Sequence, residues 1–586
     1  MRKTKILATI GPACNNVDIL KQMIEAGIDG ARFNFSHETH EYHAGMMSQL
    51  KEARAALGKH IPIILDTKGP EIRTKTLKDG KVYLEQGAEF ILTTEDVIGD
   101  ATRVSVTYEN LPRDLNVGSR VLIDDGLIEM TVTATTETEV KCVLVNSGFL
   151  GNRKGINVPD VFVDLPSLTE KDIDDIVFGI SQGIDYVAAS FVRTANDILN
   201  IRKVLEKNGG EHVKLIAKIE NREGVSNLDS ILEVADGIMV ARGDLGVEIP
   251  PEEVPIVQKD MIRRCNAIGK TVATATHMLE SMVNNPRPTR AEANDVANAI
   301  FDGSDVVMLS GETANGKWPV EAVKMMASIA SMAEKNIDYE EKYASFRKMS
   351  NNITNTISSA AVSAAADLDA SCIVAITDSG FAAKMVSRAR PSRPILAVTA
   401  DPAVCRQLNL AWGCIPMLSD KPFEGDSEVF DMAEEMALKS GAARNGDTIV
   451  ALAGVPVGSV GATNTLRVRT LGNVLAKGEG SQNGIVKGIA RVLDPNNAGK
   501  NVFFEQGDIA VCTHTSDKIM EQIKKAGALV IGSWEKQINF DHAKTVAKAL
   551  DIPMLQVDVR AVDFVKTGME VTVDTNEGLL FNGYRN

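Results

Sequence analysis

The sequence predicts an α/β protein: an eight-stranded parallel β/α barrel, a small β domain inserted into it, and two further domains after it. Three observations lead there. Eight short apolar runs in the first 320 residues each end in a polar or glycine cluster, at TIGP (Pro12), RFNFSH (His37), LDTKGPEIR (Lys68), ASFVR (Arg193), KIEN (Glu220), ARGDLG (Asp244), TATHML (His277) and LSGET (Glu312). Successive landmarks lie 25, 31, 125, 27, 24, 33 and 35 residues apart, and an interval near ~30 is one strand–loop–helix–loop unit. Helical patterns such as VDILKQMIEAG fill the gaps. The one long interval holds about 95 additional residues whose pattern turns β-rich. A TIM-type barrel carries its chemistry at the carboxyl ends of its strands, which is where Arg32, Lys218, Glu220 and Asp244 fall.

The elements follow in order. MRKTKILATIGPAC has a basic head but no long apolar core, and Gly11-Pro12 interrupts it. We read it as the first barrel strand and not as a signal peptide. After the third strand, VYLEQGAEFILTT, RVSVTYENL, SRVLIDDGLIEMTVTATT and TEVKCVLVN are rich in β-branched residues. Asp79-Gly80 and Asp125-Gly126 supply turns between them. This is a β-barrel lid domain over residues 70–166, with Pro70 and Pro166 near its two crossings, and a domain at the catalytic end is placed to close over a site. The barrel, 1–69 plus 167–345, resumes with LTEKDIDDIVFGISQGIDYVAASF. Thr169 and Thr289 each stand three residues before an acidic residue, Asp172 and Glu292, as helix N-caps do. CIVAIT, PILAVT and TIVALAG then alternate with helical segments over 346–474, an α/β domain. A small extra domain, 475–586, has short strands (DIAVCT, ALVIGS, MEVTV) and one helix-like run, DHAKTVAKAL.

Composition bounds the function. A formal charge of −15 and a pI near 5.2 argue against nucleic acid as the main partner, because phosphate-binding surfaces are usually basic. Seven cysteines, at 14, 142, 265, 372, 405, 414 and 512, show no metal-ligand spacing, which suits reduced thiols in a cytoplasmic protein. No apolar run reaches ~18 residues, so no membrane span is expected.

Side chains alternate along a strand, so Lys218 and Glu220 share one face of the fifth strand. Asp244 follows the sixth, after Gly243, which lets backbone approach a ligand closely. Two carboxylates from neighbouring strand ends, without His or Cys, suit a hard cation such as magnesium, and a lysine beside it can stabilise a phosphoryl group or an enolate. A structural salt bridge is the alternative. Arg32, Asn34 and Ser36 lie on one face of the second strand; with Asp66 and Thr67 they form an oxygen-rich cluster suited to potassium or phosphate, or to loop hydrogen bonds alone. Thr276 ends the seventh strand, where its hydroxyl could face substrate, and His277 alternates away from it as a packed or interface residue. TDSG at 377–380 leads from strand to helix, either as an anion-holding turn or as a plain connection.

Together these strings resemble the pyruvate kinase family. RFNFSH, LDTKGPEIRT, ASFVR, IAKIEN, ARGDLGVEIP, PRPTRAEANDVANAIFDG and LSGETA are similar to its signatures in order across residues 1–330, and AGVPVGSVGATNTLRV resembles the end of its C-terminal domain. The resemblance implies transfer of a phosphoryl group from phosphoenolpyruvate to ADP, giving pyruvate and ATP at the last step of glycolysis, in a homotetramer. It implies that Glu220 and Asp244 bind magnesium (or manganese) and that Lys218 stabilises the phosphoryl in flight. Arg32 would contact the phosphoryl, while Gly243, Asp244 and Thr276 would hold the substrate, with Thr276 near the carbon that is protonated. It matches Asn34, Ser36, Asp66 and Thr67 to potassium ligands, and Asn34, His37, Arg73 and Lys154 to nucleotide contacts. Family members that work without potassium tend to carry Lys where Glu71 stands. The family often has Gln at His277, and a hydroxyl residue at Ala382 in the loop that binds a sugar-phosphate or AMP effector. The tail resembles the phosphohistidine domain of phosphoenolpyruvate synthases, with Phe540-Asp541-His542 in place of Thr-Ser-His. A magnesium-dependent barrel lyase and an inactive effector-binding subunit are the rival readings.

Overall fold

The structure is a computed structural model that describes residues 1–347, 352–423, 425–426, 428–456, 463–496, 503–532, 538–557 and 560–584. Residues 457–462 of the AGVPVGSVGATNTLRV run and Ser533 of ALVIGS lie outside the described residues. The chain forms two compact units, one of Met1–Val362, Ala375–Glu424 and Ala453–Asn464, the other of Ser363–Val374, Gly425–Leu452 and Thr465–Asn586.

In the first unit eight parallel strands close into a barrel: β1 (Lys5–Thr9), β2 (Gly30–Asn34), β3 (Ile63–Asp66), β4 (Tyr186–Ala189), β5 (Lys214–Ile219), β6 (Gly237–Ala241), β7 (Thr271–Ala275) and β8 (Val306–Leu309). Each strand pairs with its neighbours in sequence, and β8 closes on β1 through Lys5–Val306 to Ala8–Leu309. Inward-facing positions change character along each strand. Near the amino ends Leu7, Ile64, Tyr186, Ile216, Met239 and Val306 fill the interior. Two residues on from Ile64 and Ile216 stand Asp66 and Lys218, so the period of two that packs the core also carries charge to the carboxyl end. Thr169 and Thr289 cap their helices, Glu170–Ser181 and Arg290–Asp302, with reciprocal capping boxes to Asp172 and Glu292.

Between β3 and β4 the chain builds a seven-stranded sheet and a two-stranded ribbon over its own core of Phe90, Leu92, Val121, Met130 and Val140. Strands Arg120–Ile123 and Ile128–Thr135 form an antiparallel hairpin, turning through Asp124, Asp125 and Gly126, all at positive φ. The polar stretch after the last barrel helix, Pro319–Glu334, contains a further helix, Tyr339–Arg347. Helices and strands then alternate from Ile353 onward, with Ile395–Thr399 and Cys414–Leu418 paired in parallel.

The second unit contains a closed seven-stranded barrel in the order Val474–Ser481, Met554–Val557, Ala528–Gly532, Ile509–Cys512, Ile485–Val492, Glu570–Asp574, Leu579–Asn582. The sequence reading anticipated only three of these strands. Two of the other four carry glycine and charge (VLAKGEGS, IVKGIARV) that mask their alternation, and the remaining two, MLQV and LLFN, are only four residues long. The helix there spans Ile538–Leu550 and buries Ala543 and Ala547. All seven cysteines are free and buried, and among the described residues no helix is long and apolar enough to cross a membrane.

Candidate active site

The carboxyl end of the barrel gathers charge from strands far apart in sequence. Lys218 Nζ lies 3.0 Å from Glu220 Oε1 and 3.1 Å from Asp66 Oδ1, and donates to Ser190 Oγ at 2.7 Å. Arg32 reaches the other Asp66 oxygen through Nε at 2.5 Å and Thr9 Oγ1 through Nη1 at 3.0 Å. Glu220 Oε2 accepts the Phe191 N–H at 2.6 Å, and the Asp244 carboxylate is close enough for its charge to act on Glu220. Three carboxylates thus face two cations, Arg32 and Lys218.

The electrostatics follow from burial set against partners. Burial alone would favour a neutral Lys218 amine, but Asp66 and Glu220 outweigh it and hold its pKa above the ordinary value. Burial likewise pushes Asp66 up, yet Arg32 and Lys218 prevail and keep it a carboxylate. Burial pushes the Glu220 carboxyl up to about 7, with the Asp244 charge adding to the rise and Lys218 opposing it. Burial raises Asp244 as well, against the pull of Lys218. The Glu220–Asp244 pair is the part of the cluster left with excess negative charge.

Several positions differ from the sequence reading. Thr276 lies one residue past β7 in the left-handed region at φ +73, and His277 follows at φ +56. Strand alternation therefore does not orient this pair, and His277 is exposed in this chain, which excludes the packed reading and agrees with an interface position. A β-branched residue at positive φ is strained, and such strain concentrates at functional sites. Gly243 is the second residue of the short helix Arg242–Glu248 after β6. A Cβ there would stand 2.9 Å from Thr276 Cγ2, so the glycine makes room for a neighbouring side chain. Strand β2 ends at Asn34, and Ser36 sits in the following turn, its N–H bonded to Asn34 Oδ1 at 3.1 Å. Thr67 Oγ1 accepts the Ser190 N–H at 3.1 Å. The oxygen cluster has a built-in ammonium beside it: Lys218, two strands along on β5, pairs with Asp66.

Two cavities adjoin this cluster. One of about 710 Å³ lies under the inserted domain and is lined by Glu71, Arg73, Lys154, Phe191 and Asp244 among others. The other, about 380 Å³, is lined by Pro12, Arg32, Asn34, His37, Tyr42 and Ser310 among others. The four nucleotide positions are therefore divided, Arg73 and Lys154 in the first and Asn34 and His37 in the second. Arg73 Nε is 2.5 Å from Glu71 Oε2, and Lys154 Nζ is 2.9 Å from Asp124 Oδ1. Sequence reasoning missed Ser190, whose hydroxyl donates to Thr67 O at 2.6 Å while accepting from Lys218. Its signal was available: a polar residue closing the apolar run YVAA, like the others that were chosen.

A parallel β/α barrel with a buried lysine held among carboxylates at its strand ends, below an inserted β domain, defines a barrel enzyme acting on a small charged substrate. Comparison with known proteins narrows the class. Residues 1–323 match the family described as "Pyruvate kinase, barrel domain", 355–469 "Pyruvate kinase, alpha/beta domain", and 504–578 "PEP-utilising enzyme, mobile domain". The pyruvate kinase of Bacillus licheniformis is 46% identical over 587 residues, covering 100% of this chain and 99% of the relative, and that of Geobacillus stearothermophilus is 46% identical over 586. A Clostridium acetobutylicum pyruvate kinase is 49% identical over 474 residues, which are its whole length and 80% of this chain. The crystal structure of a pyruvate kinase from Cryptosporidium parvum superposes with a TM-score of 0.77 at 41% identity, covering 80% of this chain and 96% of that one. The chain belongs to the pyruvate kinase family, and it is an enzyme of the transferase class.

Proposed function

We propose that Lys218, Arg32 and Thr276 carry the pyruvate kinase reaction in this chain: the phosphoryl group of phosphoenolpyruvate passes to ADP, giving pyruvate and ATP at the last step of glycolysis. The observation that carries this reading is the convergence of Lys218 on Asp66, Glu220 and Ser190 at the barrel mouth. The reaction breaks the bond between phosphorus and the enol oxygen and forms one to the terminal ADP oxygen; the enolate left behind takes a proton on carbon. Lys218 and Arg32 neutralise charge on the moving phosphoryl, which is most of what such a transfer asks of a protein. Gly243, Asp244 and Thr276 hold the substrate, with the Thr276 hydroxyl near the carbon that is protonated. Arg73 and Lys154 contact nucleotide from the lid side, Asn34 and His37 from the barrel side. Closure of the lid over the substrate would exclude water and so suppress hydrolysis.

The family uses a divalent metal and a monovalent cation. The negative excess at Glu220 and Asp244 fits a hard divalent cation such as magnesium or manganese, which would supply charge neutralisation there. Among the described residues no group of three or more His, Cys, Asp and Glu could hold a metal, and a magnesium ion held by one or two carboxylates keeps waters and takes substrate phosphate oxygens. Asn34, Ser36, Asp66 and Thr67 are all oxygen donors and fit a potassium ion, though Asp66 already serves Arg32 and Lys218.

We read the chain as a catalytic barrel (1–69 plus 167–345), a lid (70–166), an α/β effector and interface domain (346–474) and a phosphohistidine-like domain (475–586). The assembly proposed is a cytoplasmic homotetramer, with a sugar phosphate or AMP as the class of effector. Purified protein given phosphoenolpyruvate, ADP, magnesium and potassium should form pyruvate and ATP in equal amounts. Pyruvate without ATP would sink the reading.

A further inference from the structure

The turn after β2 is held by side chains that the proposed reaction does not use. Its inner side is tied through its own N–H groups: Phe35 N–H donates to Asp66 O at 3.0 Å and Ser36 N–H to the Asn34 side-chain oxygen Oδ1 at 3.1 Å. Its other carbonyls are gripped by two helices. Lys171, on the helix Glu170–Ser181, donates from Nζ to Phe35 O at 2.9 Å and to Asp175 Oδ2 at 2.6 Å. His43, on the helix His40–Ala56, lies with Nε2 3.0 Å from His37 O. A carbonyl only accepts, so His43 carries its proton on Nε2. Burial lowers its pKa and keeps the ring neutral.

The two helices are also fastened to each other. His40 Nε2 meets Asp175 Oδ1 at 2.8 Å, and its ring stacks on Phe178 at 4.2 Å. The Phe35 ring stacks on His43 at 4.1 Å. Asp175 is 1% exposed and has one oxygen on a side chain of each helix, His40 and Lys171. Glu38, the residue after the Phe35–His37 turn, sits in the left-handed region at φ +67. A non-glycine residue in that region persists only when its surroundings over-determine it.

We propose that Lys171 and His43 are positioning residues that hold the Phe35–His37 turn in the shape that binds nucleotide and monovalent cation. The inference rests on the reading of Asn34, Ser36 and His37 given under Proposed function. A preorganised turn lowers the ordering cost of each binding event. Lys218 and Arg32 do not depend on these tethers, so loss of a tether should weaken binding and spare the transfer step.

The test uses Lys171→Gln, Lys171→Arg and His43→Leu in the full-length enzyme. Lys171 is half-exposed on its helix, so its variants leave the core intact even if His43→Leu does not fold. Lys171→Gln should raise both the KM for ADP and the half-saturating potassium concentration about tenfold, equivalent to ~1.4 kcal/mol. The KM for phosphoenolpyruvate and kcat at saturation should stay within about threefold. Lys171→Arg, which keeps the charged donor, should restore both values, and a folded His43→Leu should behave as Lys171→Gln does. Unchanged values in Lys171→Gln, a fall in kcat alone, or failure of arginine to rescue would each overturn the proposal. If the unmodified enzyme is indifferent to potassium, the reading of the cation ligands fails separately, and the KM for ADP alone decides the role of the tethers.

Discussion

Replacing Lys218 with methionine is the sharpest test of the active-site reading. The change keeps most of the side-chain volume but removes an ammonium that lies 3.1 Å from Asp66, 3.0 Å from Glu220 and 2.7 Å from Ser190. A unit charge ~4 Å from a phosphoryl oxygen, at an effective dielectric near ~20, is worth about 4 kcal/mol. At ~1.36 kcal/mol per decade, kcat should fall by about three orders of magnitude. Interactions that strengthen as the phosphoryl moves appear in kcat, so the KM for phosphoenolpyruvate should change much less. The fold responds too. Asp66 keeps Arg32, but Glu220 keeps only the Phe191 N–H, beside the like charge of Asp244. Removing one partner of a buried pair costs ~3–5 kcal/mol, so Tm should drop, and rates must be taken well below it. The assay is the initial rate of pyruvate formation across phosphoenolpyruvate concentrations at saturating ADP, on protein whose circular dichroism matches the unmodified enzyme. A folded variant that keeps more than about a tenth of kcat, a loss of only ~1.4 kcal/mol, would remove Lys218 from its role.

Turnover should depend strongly on potassium, measured against tetramethylammonium at equal ionic strength, and equal rates in the two salts would discard Asn34, Ser36, Asp66 and Thr67 as ligands. Glu71→Lys should relieve much of that dependence, and because Glu71 pairs with Arg73, the KM for ADP should shift with it. Gly243→Ala should cut kcat about tenfold, since the new methyl meets Thr276 Cγ2 at 2.9 Å and overpacking costs ~1–3 kcal/mol. Adding Thr276→Ser, which removes that methyl and keeps the hydroxyl, should recover most of the loss, and no recovery would refute the steric account. Thr276→Gly should raise Tm while lowering kcat, because a β-branched residue at φ +73 stores ~1–3 kcal/mol of strain; a lower Tm would contradict this. His542→Ala should leave turnover nearly unchanged. His542 Nδ1 lies 2.5 Å from Thr515 Oγ1 in the second unit, and Asp541 puts negative charge where a phosphohistidine would form, so a stoichiometric, acid-labile phosphoryl group on His542 would overturn that expectation.

The sequence by itself determined whatever depends on periodicity and neighbours along the chain. The ~30-residue beat identifies βα units because each unit needs one buried strand and one helix face. Thr169 and Thr289 are legible as caps because a cap and its acidic partner are three residues apart, within one helical turn. Lys218 and Glu220 share a face for the same kind of reason, a period of two. The tertiary structure decided everything that depends on distance across the barrel. Arg32, Asp66, Ser190 and Lys218 come from β2, β3, the end of β4 and β5, and only the pairing of these strands side by side makes Asp66 the common partner of two cations. The left-handed turn at Thr276, the split of the nucleotide positions between two cavities, and the hold of Lys171 and His43 on the Phe35–His37 turn are likewise invisible in the chain. Alternation states which face a residue takes, but stagger, loop conformation and helix packing set what it meets there, and those are properties of the closed fold.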